Sequence, residues 1–397
     1  MNCQSASLSI STSQRKDVPA REARRRWNQG RGRGRGKSHL RRVKEDVKPE
    51  QHGEETTPRG VCQTMCPAVE LQKRESQNRL HRFEMLAGTE KDRRPQVDPM
   101  RAVKEYSRPA AGKDAAYAAD LRPPVVLLKT VCYLIDEIAA SHLCPWTEVY
   151  GFVFDRLRSV KQDMIIQRVH GPDCVAILER TVRFLIYASY RLCGEPLRLY
   201  DPCINDTHLQ ENLSWLLDCY THGTEPHPNQ EEFQALSILY NLGSSRTVQH
   251  VMELPTQVRR SPAVALALSI NRAFLERNPV RLLQFASRLT FLQGCAVHRH
   301  LMVSRKDLLL IYSHGYNSKN CRFPLDRLCK LLSLDSSLTT TLCQTYGVEV
   351  NQENQVVFSK AAFSEPEQGK LRCALYHNIV EEKQKDLTVG NIVHGCS

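Results

Sequence analysis

The chain has 397 residues, 41% of them apolar, enough to bury one large core or two smaller ones, and it carries a net charge of +12. It has no run of eighteen uncharged apolar residues and no apolar stretch in its opening MNCQSASLSISTSQRK, which argues against a membrane span or secretory leader and for a soluble cytosolic or nuclear protein. The charge is localised: residues 15–48 hold fourteen Lys or Arg against four Asp or Glu, a surplus of ten, so the remainder of the chain is nearly neutral.

Residues 1–59 lack apolar periodicity and contain GRGRGRG at 30–36, a composition that predicts a disordered basic tail. Arg31, Arg33 and Arg35 are candidate nucleic-acid contacts, because guanidinium groups pair with phosphates and stack on bases while the glycines keep the backbone compliant. An import signal or an anchor for acidic partners fits the same composition.

Order is expected from Gly60. Pro67 suits the first position of a helix running to Leu86, with Val69, Leu80 and Phe83 on its apolar side. Cys62 and Cys66 have three residues between them, but no second pair of metal-ligand spacing accompanies them. They read as a packed turn rather than a zinc site, and most of the fifteen cysteines as small buried hydrophobes. Asp98-Pro99 opens an expected short helix containing Val103 to Tyr106, ended by Arg108-Pro109. A longer helix starts at Asp120-Leu121-Arg122-Pro123-Pro124, with Leu127, Val131, Leu134 and Ile138 as its apolar face. Asp120 and Arg122 have neither a nucleophile nor a histidine beside them, which favours capping and ion pairing over catalysis.

The helix predicted from Pro145 to Gln167 places Val149, Val153, Leu157, Val160 and Met164 on one stripe. Two polar rows flank the stripe, one of Asp155, Arg158 and Gln162 and one of Arg156, Ser159, Asp163 and Gln167, able to form ladders or to reach a neighbouring element. Further helices are expected at 174–192, 206–221, 230–242, 245–252, 262–276 and 279–293, with Ser261 and Asn278 as caps. The pattern changes near 298: helices at 301–312 and 324–332, a third capped by Asp335, then strands 348–350 and 355–358 joined by four residues. Helix, helix, helix and hairpin is the order of a winged helix. Its third helix, SSLTTTLCQTYG, has no Lys or Arg, a poor match to a phosphate-lined groove and a better one to protein packing. His298 and His300, two apart, are expected on different sides of their helix, at the surface rather than as metal ligands.

Several of these strings carry a resemblance. G-x-C-x-x-MCP-x-x-E-x-x-x-R (60–74, with Met65 and Glu70 at fixed positions), Phe83-Glu84, VKEYSRPAAG, ADLRPP-x-VLL-x-T-x-x-YL, DR-x-R-x-x-x-QD-x-x-x-Q (155–167) and EEFQALSIL (231–239) together resemble the Sac-three/GANP family. The resemblance implies a mainly α fold of PCI type. A helical-repeat solenoid over 60–297 precedes a winged helix over 298–362 and a C-terminal helix and tail over 363–397. It implies a non-enzymatic scaffold with no cofactor, no small-molecule substrate and no membrane, whose motif residues serve structure or partner binding. Its partners would be a second PCI-domain protein and a small acidic peptide, with RNA held on the joint surface. Without the Phe-Gly repeats, centrin-binding helix or acetyltransferase region of longer members, the chain resembles a short family form associated with centrosome duplication and mitotic spindle progression. That places it in the cytoplasm, at the centrosome and on the spindle; the alternative is a nuclear RNA-binding subunit of messenger-RNA export. No GxxxxGK[ST], HExxH or G-x-S-x-G motif points to an enzyme.

Overall fold

The computed structural model describes residues 57–108, 117–223, 227–318, 320–366, 377–385 and 387–396. Most of the tail, including Arg31, Arg33 and Arg35, and also Pro109, lies outside the described residues. The described body is mainly helical. In chain order its helices are α1 (Ala68–Ser76), α2 (Pro124–Tyr133, continued by a π-helical turn Leu134–Ala139), α3 (Trp146–Ile166), α4 (Pro172–Arg191), α5 (Pro202–His222), α6 (Gln230–Tyr240) and α7 (Ser245–Glu253). There follow α8 (Thr256–Arg259), α9 (Pro262–Leu275), α10 (Pro279–Ala286), α11 (Phe291–Gly315), α12 (Leu325–Leu332), α13 (Ser336–Thr345), α14 (Glu382–Gln384) and α15 (Val389–His394).

Local chemistry sets many of the starts. Proline occupies a first-turn position of α2, α4, α5, α9 and α10, where its missing N–H costs nothing. Asp201, Asn278 and Asp335 accept from Cys203 N at 2.8 Å, Arg281 N at 3.0 Å and Leu338 N at 2.7 Å, capping α5, α10 and α13. Ser261 precedes α9 but makes no cap bond through its side chain.

The predicted stripes are the core. Val149, Val153, Leu157, Val160 and Met164 of α3 are buried, as are Leu127, Val131, Leu134 and Ile138 of α2 and its π turn. Helix α4 is buried on nearly all sides, because α2, α5, α11 and α15 pack around it. Helix α11 packs on α4, α6 and α10, so its contacts reach well beyond its sequence neighbours.

Three expected elements differ. The helix expected over 67–86 stops at Ser76, where Asn78 takes a positive φ of 53°, and only a 3₁₀ turn, Arg82–Glu84, follows. The helix expected around Val103 to Tyr106 is an extended segment, 102–108, whose backbone groups bond to other elements instead of to one another. The helices expected at 279–293 and 301–312 are instead α10 and the uninterrupted α11, which begins at a capping box in which Thr290 N donates to Gln293 Oε1 at 3.1 Å. Residues 297 and 298 therefore lie inside one helix.

After α11 come strand β1 (Phe323–Pro324), α12, α13 and strands β2 (Glu349–Val350) and β3 (Gln355–Val357). The sheet is antiparallel in the order β1-β3-β2, with Phe323 opposite Val356 and Glu349 opposite Val357. Phe323, Phe358 and Tyr312 of α11 meet edge to face, with centroids 5.5–5.8 Å apart, and seat the sheet on the long helix.

The two histidines are not surface residues. His298 is buried beside Tyr190, with its Nδ1–H donating to Cys295 O at 2.6 Å, and the half-buried His300 points Nε2 at Tyr240 O, 3.0 Å away. Burial pushes the His298 imidazole down to about 4. The unfolded chain therefore binds the extra proton first, and stability falls as pH drops from about 6.5 towards 4. At pH 5 the loss from this group is about 2 kcal/mol. Urea unfolding of the wild type and of His298→Leu at pH 7 and pH 5 checks this, the variant showing the shallower pH dependence.

Candidate functional site

The motif residues converge on the inner face of α3, where two buried carboxylates hold three segments together. The first is Glu84, at the end of the 3₁₀ turn and fully buried. It accepts from Arg74 Nη1 at 2.7 Å, from Arg156 Nη2 at 3.2 and 3.3 Å, and from the backbone N–H groups of Val103 at 3.1 Å and His81 at 3.2 Å. Burial opposes its ionisation, but the guanidinium groups of Arg156 and Arg74 outweigh burial and hold the carboxyl below its ordinary range. Arg74 also donates to Val103 O at 3.1 Å and to Cys66 Sγ at 3.2 Å. Burial, together with the Glu70 carboxylate, pushes the Cys66 thiol up to about 12, so it stays protonated beside the guanidinium. Glu70 in turn accepts the backbone N–H of Glu105 at 2.8 Å.

The second carboxylate is Asp163 on α3, also fully buried. Arg122 Nε reaches it at 2.8 Å and Lys104 Nζ at 2.7 Å. Arg122 further donates to Ser159 Oγ at 2.9 Å and to Met65 O at 3.2 Å, and Lys104 Nζ donates to Asp120 O at 2.6 Å. Arg122 thus pairs with Asp163 and not with Asp120, which takes part through its backbone carbonyl. At the end of this row Gln167 donates to Arg122 O at 2.8 Å and accepts from Gly60 N at 2.8 Å. A Cβ on residue 60 would sit 2.4 Å from Leu121 O and 2.8 Å from Gln167 Oε1. Gly60→Ala is expected to cost about 1–3 kcal/mol, measured by urea unfolding, because backbone has to move.

Both polar rows of α3 therefore reach neighbouring segments: Arg156, Ser159, Asp163 and Gln167 grip 60–66, 84 and 122, while the other row faces 105–107. Tyr106 N donates to Asp155 Oδ2 at 3.1 Å, and Gln162 Nε2 donates to Ser107 O at 3.0 Å. Arg158 lies over the Tyr106 ring, 3.8 Å from its centroid. Leu121, Pro67 and Cys62 are buried beneath this frame, Pro123 is half-buried, and Arg108 is exposed at the end of the extended segment.

Beside the Tyr106–Arg158 stack opens a groove of about 490 Å³ lined by Lys161, Gln162, Ile165, Ile166, His208 and Glu211. Ile165 is 56% exposed there. Lys161 is engaged by Glu211 at 2.8 Å, whereas Arg158 has no carboxylate within ion-pair distance among the described residues. Burial and the neighbouring Arg158 hold His208 below its ordinary value, so near neutral pH the groove's positive charge is that of the arginine and lysine. Sequence periodicity indicated both rows, but not that Arg158 and Ile165 would face one opening, since that depends on where α5 and the extended segment run.

The SAC3/GANP family model matches residues 65–352, which takes in every element from α1 to the turn after β2. SAC3 family protein 1 of Schizosaccharomyces pombe is 28% identical over 89% of this chain and 36% of its own length. Protein xmas of Drosophila melanogaster is 27% identical over 87% of this chain and 17% of its own length, and SAC3 family protein B of Arabidopsis thaliana 23% identical over 79% and 19%. The chain thus spans about a third, or less, of each of these relatives. Apart from Gly60 and Cys62, the motif residues that bind the extended N-terminal segments to α3 lie within the matched region, and the chain belongs to the SAC3/GANP family, whose role is of scaffold type.

Proposed function

We propose that this protein is a non-enzymatic scaffold acting in centrosome duplication and mitotic spindle progression, through protein contacts made by its helical body. The observation that carries the reading is the groove beside α3. Its Tyr106 side is tied to α3 through Asp155, and it presents a guanidinium that has no carboxylate within ion-pair distance among the described residues, next to an exposed isoleucine. Charge complementarity selects a small acidic peptide as occupant, with a carboxylate on Arg158 and an apolar side chain on Ile165. The strand–helix–helix–hairpin unit after α11 is read, with the end of α11, as a winged helix that packs beside that of a second PCI-type protein, since α13 carries no cation to meet a phosphate backbone.

Depletion followed by rescue tests this. The full chain is expected to restore centrosome number and bipolar spindles, and the Arg158→Glu, Ile165→Asp double variant to fail while remaining folded. Normal spindles after depletion, with polyadenylated RNA retained in the nucleus, would overturn the reading.

That outcome is the second reading, an RNA-binding scaffold subunit in messenger-RNA export, and the observation favouring it is the Arg/Gly alternation at 30–36. If the tail makes the contacts, replacing Arg31, Arg33 and Arg35 by serine in the full chain flattens the dependence of RNA affinity on log salt by roughly 0.7 per lost phosphate contact. An unchanged slope would assign any RNA binding to other residues.

A further inference from the structure

The groove beside α3 is lined by the cations Arg158 and Lys161 and by the carboxylate of Glu211, which already occupies the lysine. Lys161 Nζ lies 2.8 Å from Glu211 Oε2 on the facing helix α5, whereas Arg158 has no carboxylate within ion-pair distance among the described residues. The same Glu211 oxygen faces His208, one turn earlier on α5, whose Nδ1 is 3.6 Å away. That distance suits an ion pair but is too long for a hydrogen bond, and Nδ1 is buried with no hydrogen-bond partner among the described residues. Phe154 of α3 meets the His208 ring edge to face, with centroids 5.1 Å apart, and keeps it beside the carboxylate.

The charged and titratable groups facing His208 among the described residues are Glu211 on its own helix, Arg158 and Lys161 on α3, and Tyr106 across the groove. Burial and the Arg158 charge hold the imidazole below its ordinary value while Glu211 opposes them, so the ring is neutral near pH 7. Lys161 and Glu211 then cancel, and the charge left for a ligand is that of Arg158. A protonated ring is a donor at both nitrogens, so Nδ1–H draws Glu211 Oε2 and gives the buried nitrogen the partner it lacks. Lys161 is released, and the groove gains a positive charge. An acidic ligand on Arg158 weakens the repulsion that opposes protonation, so ligand and proton favour each other's binding.

We propose that Glu211 is a built-in competitor for acidic peptides in this groove, and that protonation of His208 draws it off Lys161, so that such peptides bind more tightly as pH falls. The inference rests on the reading of the groove as an acidic-peptide site. While His208 is neutral, Glu211 holds the place on Lys161 that a ligand carboxylate would take. Once His208 is charged, Lys161 becomes a second anchor one turn along α3 from Arg158.

The experiment follows fluorescence anisotropy of a labelled peptide of alternating glutamate and leucine on the full chain at about pH 7.5 and about pH 5.5, where the peptide stays ionised. Wild type is expected to bind roughly fivefold more tightly at the lower pH, the effect of one added charge near the ligand. His208→Gln keeps the wild-type affinity at the higher pH and loses the gain on acidification. Glu211→Gln, a change at a half-exposed side chain, binds roughly fivefold more tightly already at the higher pH. Binding that Arg158→Glu abolishes but acidification does not strengthen overturns this inference alone, as does an equal gain in His208→Gln or an unchanged affinity in Glu211→Gln. No binding by folded wild type at either pH overturns the reading of the groove and this inference with it.

Discussion

Asp163→Ala is expected to lower the free energy of unfolding by about 3–5 kcal/mol, because it strips the counter-charge from Arg122, which is fully buried, and from Lys104, which is mostly so. The carboxylate itself contributes little net stability, since much of its attraction to two cations is spent on its own desolvation. The damage comes from the cations left behind. Arg122 cannot shed its proton, and among the described residues it keeps Ser159 Oγ and Met65 O as its acceptors. Urea unfolding followed by circular dichroism measures the loss. Asp163→Asn, which keeps the shape and an acceptor oxygen, is expected to lose less than alanine. Equal losses from the two variants would mean that packing at α3, rather than charge, governs the site.

Glu84→Ala is expected to act on a smaller unit with an equally large local effect. Glu84 joins α1, the extended segment and α3 through Arg74, the Val103 N–H and Arg156. Without it two guanidinium groups face each other across a buried gap, and about 3–5 kcal/mol of local stability is lost. The segment 60–108 has few apolar anchors, chiefly Cys66, Leu71, Phe83, Ala102 and Val103, so it can release while the helices behind it stay folded. Limited proteolysis is expected to cut the variant within 77–108 at concentrations that leave the wild type intact, and amide exchange to quicken there and not in α4. Exchange that rises uniformly over the body would show that the segment and the helices unfold as one unit.

Both predictions rest on residues that stood out before any fold was known, and they mark how far periodicity reaches. The stripe and the two polar rows of α3 followed from spacing alone, because a regular helix turns residue number into direction. So did the apolar faces of α2, α5 and α6, and the proline and Asx starts. The partners of the polar rows did not follow. Val103 to Tyr106 has the composition of a helix, and it is held extended because Glu70, Glu84 and Asp155 offer acceptors for its backbone N–H groups. Tertiary bonds replaced the local ones.

The same limit explains the histidines and the C-terminus. His298 has an ordinary amphipathic neighbourhood in sequence, and it is buried because α11 runs unbroken beneath α4, a packing that no local signal announces. Glu381 accepts from Tyr190 at 2.6 Å, Lys383 Nζ meets the carbonyls of Ser287 and Leu289 at 2.9 and 2.6 Å, and His394 Nε2 reaches Asp136 at 2.7 Å. These contacts bring back residues that read as a tail, with Ile379, Val380, Ile392 and Val393 buried as anchors.

By itself, then, the sequence determined the helical class, the faces that would be buried, the motifs of the SAC3/GANP family and the confinement of its charge to residues 15–48. Only the tertiary structure decided which cation meets which carboxylate across the frame on α3. Those are pairings between residues tens of positions apart, set by how helices cross and by which buried charges must be neutralised, and the spacing within one element carries no information about either.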